Sequence, residues 1–414
     1  MTDLDSIASS IAYAWIQSEV NKKPAVPLIQ IERADLHLRA ENLYALNLAG
    51  LSETQDELLT LTEIEEFKPF PFHKFALVDH NRLGEAFTLD NPNAEVVAVV
   101  DHHQDEGLYR NASPRVIAPC GSCASHVAAL CPDDIPAELA TLLLTAILID
   151  TDGLKPGGKA IQTDRDSALS IVRKSTYANL IPPPSALSPI DSPNPNALYE
   201  VQAIEDLTKR LGEKKLDVSH LGPLDLLRRD FKEYTHPLLW AAGQPSIKVG
   251  LSTVPTRLKA WGADGKLEEA AVALMERRGL TVLGVLTSFR AVKKSMLGKN
   301  TKGKHKREMA WIILEGTQLK QINNEELTTK TLAEKLWKGL EADDEIKVEV
   351  YKKFQLDKVK KLPENSKWKV YKQGNAKATR KTIAPILKDI LEGSSPPLAK
   401  AEETTPPKAT APEP

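Results

Sequence analysis

The segment Val96-Val97-Ala98-Val99-Val100-Asp101-His102-His103 changes from apolar to polar in a single step. Its first five residues are apolar and mostly β-branched, too few for a buried helix and without the polar alternation of a half-exposed strand. They predict a short strand buried on both faces, the kind that lies inside a parallel sheet. Asp101 ends the run where such a strand delivers its carboxyl end. Phe75-Ala76-Leu77-Val78-Asp79-His80-Asn81 has the same construction. Helix-length segments lie between and after these strands, including residues 136–149, and the alternation predicts an α/β domain built on a parallel sheet. Ligands of such domains collect outside the carboxyl ends of the strands, which is where Asp79 and the residues 101–103 fall.

Toward the N-terminus, Asp3-Leu4-Asp5-Ser6 leads into Ile7-Ala8-Ser9-Ser10-Ile11-Ala12, an Ala-rich segment with apolar residues at helical spacing, and Asp5 reads as the cap of that helix. Toward the C-terminus, Asp150-Thr151-Asp152 follows the helical segment 136–149. Taken singly, each acidic cluster has an ordinary reading, because Asp and Asn terminate strands and cap helices. Their combination is more specific. Carboxylates converging on one edge repel unless a cation neutralises them, and carboxylates with imidazole suit Mn²⁺ or, with more water retained, Mg²⁺. Two such ions, about 3.5–4 Å apart, can activate a water and clamp a phosphoryl group for in-line attack.

The chain has 414 residues, 42% hydrophobic and 27% charged, with a formal net charge of -2, which suits two cored domains. The near-neutral total hides a gradient. Residues 1–106 hold nineteen Asp/Glu against seven Lys/Arg, a net of -12, which leaves +10 for the remainder. Residues 290–307 contain Arg290, Lys293, Lys294, Lys299, Lys302, Lys304, Lys306 and Arg307 with no acid, and 366–381 are again basic. An acidic front and a basic back suggest cations held by one half and anions by the other. No apolar run approaches the ~18 residues of a membrane span, and the start Met1-Thr2-Asp3-Leu4-Asp5 lacks the basic and apolar regions of a secretory signal. The three cysteines, Cys120, Cys123 and Cys131, lie too close together for a disulfide framework, so a reducing, cytoplasmic location is expected.

Residues 181–196 are rich in Pro and Ser and read as an insertion or linker, followed by a helical segment at 198–211. Beyond it, a helix is expected near 224–234, strands at 247–249, 281–286 and 311–313, and a closing helix at 382–391. The boundaries expected are 1–180 for the first domain, 181–221 for the insertion and linker helix, 222–391 for the second domain, and 392–414 for a disordered tail.

With its acidic clusters in this order, the chain resembles the DHH phosphoesterase superfamily. Asp101-His102-His103 matches the motif that names it, Leu77-Val78-Asp79-His80-Asn81 matches the motif before, Asp3-Leu4-Asp5-Ser6 resembles the latter part of the first motif, and Ile147-Leu148-Ile149-Asp150-Thr151 resembles the fourth. The resemblance implies that Asp3, Asp5, Asp79, His102 and Asp150 are metal ligands for two Mn²⁺ or Mg²⁺ ions, with Asp79 able to bridge. It implies that His103 is catalytic, facing substrate as a phosphate contact or proton donor. Further along, Asp230-Phe231-Lys232-Glu233-Tyr234 and Ala378-Thr379-Arg380-Lys381-Thr382 are similar to the two signatures of the accessory domain of family II pyrophosphatases and yeast-type exopolyphosphatases. A parallel-sheet α/β domain followed by a smaller, mixed-sheet α/β domain is therefore implied, the second supplying Lys232, Arg380 and Lys381 to phosphate. A guanidinium fork pairs two phosphate oxygens and an ammonium adds a mobile point charge. Read alone, Arg380-Lys381 is a solvated helix start.

In that superfamily a buried strand ending in His or Asn precedes the first carboxylate motif, whereas this sequence begins two residues before Asp3, so the expectation is a first domain lacking its first strand. The basic stretch 290–307 reads either as a flexible loop that attracts polyphosphate or as a plain surface loop. Nucleic acid is not an expected partner, since the stretch lacks interleaved aromatics, and neither is a membrane. Cys120-Gly121-Ser122-Cys123 with His126 admits a zinc or redox reading, but without a second cysteine pair a turn leading into a helix is preferred. The activity expected is a metal-dependent exopolyphosphatase releasing terminal phosphate from inorganic polyphosphate. The alternatives are an inorganic pyrophosphatase or short-chain polyphosphate or nucleotide phosphodiesterase, and a non-catalytic polyphosphate-binding protein.

Overall fold

The two apolar runs form the strands expected of them. In the computed structural model, which describes residues 3–65, 67, 70–181, 195–294, 300–315, 327–356 and 358–393, the chain divides into units Met1–His220 and Leu221–Pro414. The first unit runs α1 (Leu4–Trp15), β1 (Leu28–Ile29), α2 (Ala40–Leu48), β2 (Leu59–Thr60), α3 (Leu61–Ile64), β3 (Lys74–Val78), β4 (Glu95–Asp101), β5 (Arg115–Ile117), α4 (Cys123–Ala129), α5 (Ala137–Asp150), α6 (Gln162–Val172) and α7 (Gln202–Leu216). Strands β3, β4 and β5 form a parallel sheet with β4 in the middle, Leu77 opposite Val99 and Val99 opposite Arg115.

Alternation of side chains across the strand explains why the run is apolar throughout. Val78, Ala98 and Val100 enter the main core with α1, α4 and α5, while Leu77 and Val99 enter a smaller cluster with Ala112 on the other face. Helix α5 is buried from Leu139 to Leu148 and carries two hydroxyls, Thr141 and Thr145, that bond back to their own helix's carbonyls. Such a helix, apolar all round, belongs in the centre of its unit. It delivers Asp150 at its C-terminal end.

Two expectations are corrected here. Asp3, not Asp5, caps α1, accepting from the Ser6 backbone N–H at 3.2 Å. Asp5 lies inside the first turn with its carboxylate buried, turned toward the start of α4. The helix expected at 198–211 starts later, at Gln202, after a short tight turn at Pro195–Glu200, and runs to Leu216. Residues 182–194 of the Pro-rich insertion and the tail 394–414 lie outside the described residues.

The second unit runs α8 (Pro223–Arg229), β6 (Phe231–Pro237), β7 (Ser246–Val254), α9 (Leu258–Trp261), α10 (Lys266–Arg278), β8 (Val282–Thr287), β9 (Phe289–Lys294), β10 (Asn300–Ile313), α11 (Thr329–Ala342), β11 (Val348–Val350), β12 (Lys367–Gln373) and α12 (Arg380–Glu392). Its sheet is mixed, in the order β11-β12-β10-β8-β7-β6, with β7 and β8 parallel and the other neighbours antiparallel. Helices α11 and α12 cover one face with Leu332, Leu336, Leu340, Ile383, Leu387 and Leu391 at helical spacing.

The helix expected at 224–234 stops at Arg229, and Phe231–Pro237 is strand β6, with Phe231 opposite Ser252 and Lys232 opposite Leu251. Phe, Tyr and Thr suit a pleated surface, and the ladder to β7 overrides local helical pattern. The basic stretch 290–307 is likewise not a simple loop. Strand β9 pairs antiparallel with the first part of β10, Arg290 opposite His305, because β10 extends outward from a core strand; residues 295–299 lie outside the described residues. Among the described residues, no helix is long and apolar enough to cross a membrane. The fold class stands as expected, α/β with a parallel sheet in the first unit and a mixed sheet in the second.

Candidate metal centre

Strand β3 ends in a turn that Asp79 makes in the left-handed region, at φ 65, while its N–H still donates to the Val100 carbonyl at 2.9 Å. A non-glycine residue held there is strained, and such strain concentrates at functional positions. The turn leaves the Asp79 carboxylate at the carboxyl edge of the sheet.

Asp101, the last residue of β4, is fully buried and folds the residues after it around its carboxylate. Its Oδ1 accepts from the N–H groups of His102 (2.8 Å) and His103 (3.2 Å) and from His103 Nδ1 (2.8 Å), and its Oδ2 accepts from Asn81 Nδ2 (2.5 Å). Burial works against the ionised form, but the bonds from His103 and Asn81 outweigh it and hold Asp101 down to about 2. Asp101 is thus a brace for the turn, saturated by donors. Sequence reading placed it in the right cluster without assigning it this role.

His102 and His103 then point different ways. His102 Nδ1 meets the Cys120 carbonyl at 3.1 Å, which makes Nδ1 the protonated nitrogen and leaves Nε2 aimed at the carboxylates, 3.3 Å from Asp79 Oδ1 and 3.8 Å from Asp5 Oδ2. Burial disfavours its charge, yet Asp79, the Cys120 side chain and Asp5 prevail and push it up to about 11. His103 stands edge-on to His102 with centroids 4.5 Å apart, its side chain 60% exposed. The Asp101 bond raises its pKa.

From α1, Asp5 reaches the N-terminus of α4, where Oδ2 accepts from Cys123 N (2.7 Å) and Oδ1 accepts from Ala124 N (2.7 Å) and Ser122 Oγ (2.8 Å). Its pKa is raised well above the ordinary value by burial, then by Asp79 and Asp150. Asp150, at the end of α5, is pushed up to about 6 by burial and by Asp3 and Asp79, against the opposite pull of Lys215 and Lys159. Ser6 Oγ donates to Asp79 Oδ2 and to Asp3 Oδ1, linking cap and strand end.

All five carboxylate and imidazole ligands expected from the sequence are therefore electrostatically coupled on one edge of the first unit. Asp79, His102 and His103 each offer an atom within 4.8 Å of the others. Asp79 Oδ1 is buried and accepts no hydrogen bond from the described residues. A bare carboxylate oxygen beside two further acids and an imidazole Nε2 is a donor set that fits a divalent cation. The second unit holds the other candidates. Arg380, at the start of α12, is bound to Asp230 through its carboxylate (2.8 Å) and carbonyl (2.9 Å), whereas Lys232 on β6 and Lys381 in the first turn of α12 are exposed. Sequence reading missed Lys215, whose Nζ lies 3.7 Å from Asp150 Oδ1, and Ser122. Neither carries a local signal, since α7 is remote from α5 in sequence and a Ser before a helix ordinarily reads as its cap.

A model described as "DHH family, N-terminal domain" matches residues 1–147, and one described as "DHHA2 domain" matches residues 209–390. A Schizosaccharomyces pombe protein named "Putative exopolyphosphatase" is 31% identical over 305 residues, 69% of this chain and 70% of its own length. "Exopolyphosphatase PRUNE1" of Rattus norvegicus is 27% identical over 56% of this chain, which spans 47% of that relative. An Archaeoglobus fulgidus protein named "Probable manganese-dependent inorganic pyrophosphatase" is 27% identical over 73% of this chain and 88% of its own length. These relatives bear the names of hydrolases that act on phosphoric anhydrides, and by its two family models and its identity to the Schizosaccharomyces pombe relative the chain belongs to the DHH family, carrying a DHHA2 domain after the DHH domain.

Proposed function

We propose that the chain is a metal-dependent exopolyphosphatase that releases terminal orthophosphate from inorganic polyphosphate. The observation that carries this reading is the convergence of Asp5, Asp79, Asp150 and His102 around a buried oxygen without a hydrogen bond, in a chain related to exopolyphosphatases. Asp3, Asp5, Asp79, His102 and Asp150 would hold two Mn²⁺ or Mg²⁺ ions. Bound there, the ions would polarise a phosphoryl oxygen and lower the pKa of a water for in-line attack. His103, whose pKa the Asp101 bond raises and whose side chain is open to solvent on one side, is suited to donate a proton to the departing phosphate. Lys232 and Lys381 are the phosphate contacts of the second unit, and Arg380 is held in place by Asp230.

Inorganic pyrophosphatase is the second reading, favoured by the match to 88% of the archaeal relative's length. Phosphate release from long-chain polyphosphate and from pyrophosphate, each with Mn²⁺ and with EDTA, decides between them. Metal-dependent release from long chains is expected. A strong preference for pyrophosphate reverses the ranking, and undiminished release by Asp79→Asn or His102→Ala with metal present overturns both.

A further inference from the structure

We propose that Asp164 is a positioning residue for His102, acting through the single peptide group that joins Cys120 to Gly121. The inference rests on His102 being a metal ligand. One end of that peptide is the Cys120 carbonyl, which accepts from His102 Nδ1 at 3.1 Å. The other end is the Gly121 N–H, which donates to both carboxylate oxygens of Asp164, at 2.9 Å and 3.1 Å. A planar peptide moves as one body, so whatever fixes its N–H also fixes its C=O.

Asp164 is built to hold that position. It is fully buried near the start of α6, where the helix dipole favours a negative charge. Its carboxylate also accepts from Ile161 N (2.9 Å), at the cap of its own helix, and from Ser125 Oγ (2.6 Å) on α4, so its rotamer is pinned. Glycine is what allows the approach. A Cβ at position 121 would stand 2.6 Å from Thr151 Cγ2 and 2.8 Å from Asp164 Oδ2, neither of which has room to retreat in a buried site.

The consequence for His102 is both geometric and electronic. A buried carboxylate bonded to the amide N–H polarises the peptide and makes its carbonyl a stronger acceptor. That bond fixes the ring with Nδ1–H on the carbonyl and Nε2 directed at Asp79 and Asp5, the arrangement that orients imidazole toward a metal once Nε2 gives up its proton. Among the described residues, no hydrogen bond or ion pair joins the Asp164 carboxylate to His102 directly. A purely structural role, in which Asp164 merely ties the 120–125 segment to α6, would lower stability without touching the state of the imidazole.

The full chain, selectively labelled with ¹⁵N-histidine, distinguishes the two. The variants are Asp164→Asn, which replaces one acceptor oxygen by a donor of the same size, and Ser167→Ala. Ser167 is a buried α6 residue whose Oγ donates to the Ser125 carbonyl at 2.8 Å and makes no bond to the 120–121 peptide. Expected for Asp164→Asn are a shift of the His102 ring nitrogens in the metal-free protein and a ~10- to 100-fold rise in the Mn²⁺ dissociation constant by calorimetry. Ser167→Ala is expected to lower the melting temperature while leaving both readouts at wild-type values. If Asp164→Asn does not fold, Ser125→Ala takes its place, since it frees one Asp164 oxygen; it is expected to weaken Mn²⁺ binding more than Ser167→Ala does. Unchanged His102 resonances and Mn²⁺ affinity in Asp164→Asn, or equal affinities for the two serine variants, overturn the positioning role alone. Failure of the wild-type chain to bind Mn²⁺ overturns the metal centre on which it rests.

Discussion

Replacing Asp150 by Asn is expected to stabilise the metal-free chain above about pH 6 and to remove most of the stabilisation that Mn²⁺ confers. Asp150 is 21% exposed at the end of α5, and burial, Asp3 and Asp79 together carry its pKa from the ordinary 3.8 to about 6. Because the folded value lies above the unfolded one, the carboxyl contributes fully below about pH 4, and the contribution is lost as pH rises through about 6. Holding the group ionised at pH 8 therefore costs about 3 kcal/mol. Asn is neutral at every pH and avoids that cost. Lys215 then loses its ion pair with residue 150, and solvent already screens part of the effect, so a net gain of about 1–2 kcal/mol is the working figure. For a unit of this size that is a rise of about 2–8 °C in melting temperature. Thermal melts in EDTA at pH 4.5 and pH 8 measure it. A second pair of melts, with Mn²⁺ at about 100 times its wild-type dissociation constant, should raise the wild type by about 2.7 kcal/mol per ion and the variant by far less. A variant that melts below the wild type at pH 8 in EDTA refutes the repulsion argument. A variant that gains as much from Mn²⁺ refutes the ligand assignment.

Asp101 works in the opposite sense. Its folded pKa of about 2 lies below the ordinary 3.8, so it stabilises the fold above about pH 4 by about 2 kcal/mol, and this is lost as pH falls toward 2. Urea titrations of the wild type and Asp101→Asn should therefore converge between pH 4 and pH 2, and a gap independent of pH would contradict the account. His103→Gln should lower kcat by about 10²- to 10⁴-fold, with the Mn²⁺ dissociation constant changed less than about threefold, because the role assigned is proton transfer rather than ligation. Loss of metal binding in that variant would instead make His103 a ligand. Lys232→Ala and Lys381→Ala should each raise KM for polyphosphate several-fold and leave Mn²⁺ binding intact; an unchanged KM removes them from the phosphate site.

The strands at β3 and β4 and the central helix α5 were legible because burial on every side demands unbroken apolar sequence, and the polar residue that ends each run marks its exit from the core. The clusters at Asp3-Asp5, Asp79, 101–103 and Asp150 were legible for the same reason, as acids placed where the apolar text stops. The second unit was harder to read. Residues 224–234 carry a pattern that suits a helix throughout, and only the ladder from β6 to β7 ends it at Arg229. The basic stretch at 290–307 gave no alternation of apolar residues to reveal β9, which exists because β10 runs past the core and offers it an edge.

Sequence alone singled out the acids and imidazoles that the fold gathers at one edge of the first unit, since residue type and position at a strand or helix end are local properties. The division of labour among them came from tertiary structure. Asp101 and Asp79 end adjacent strands in similar text, yet one is saturated by the donors of 81, 102 and 103 and the other keeps a bare oxygen. Lys215, Ser122 and Asp164 enter the site only because α7, α4 and α6 fold against the ends of α5 and β4. Hydrogen bonds and charge coupling act over a few ångströms of space, whatever the separation along the chain, and no local pattern encodes which distant residue will arrive.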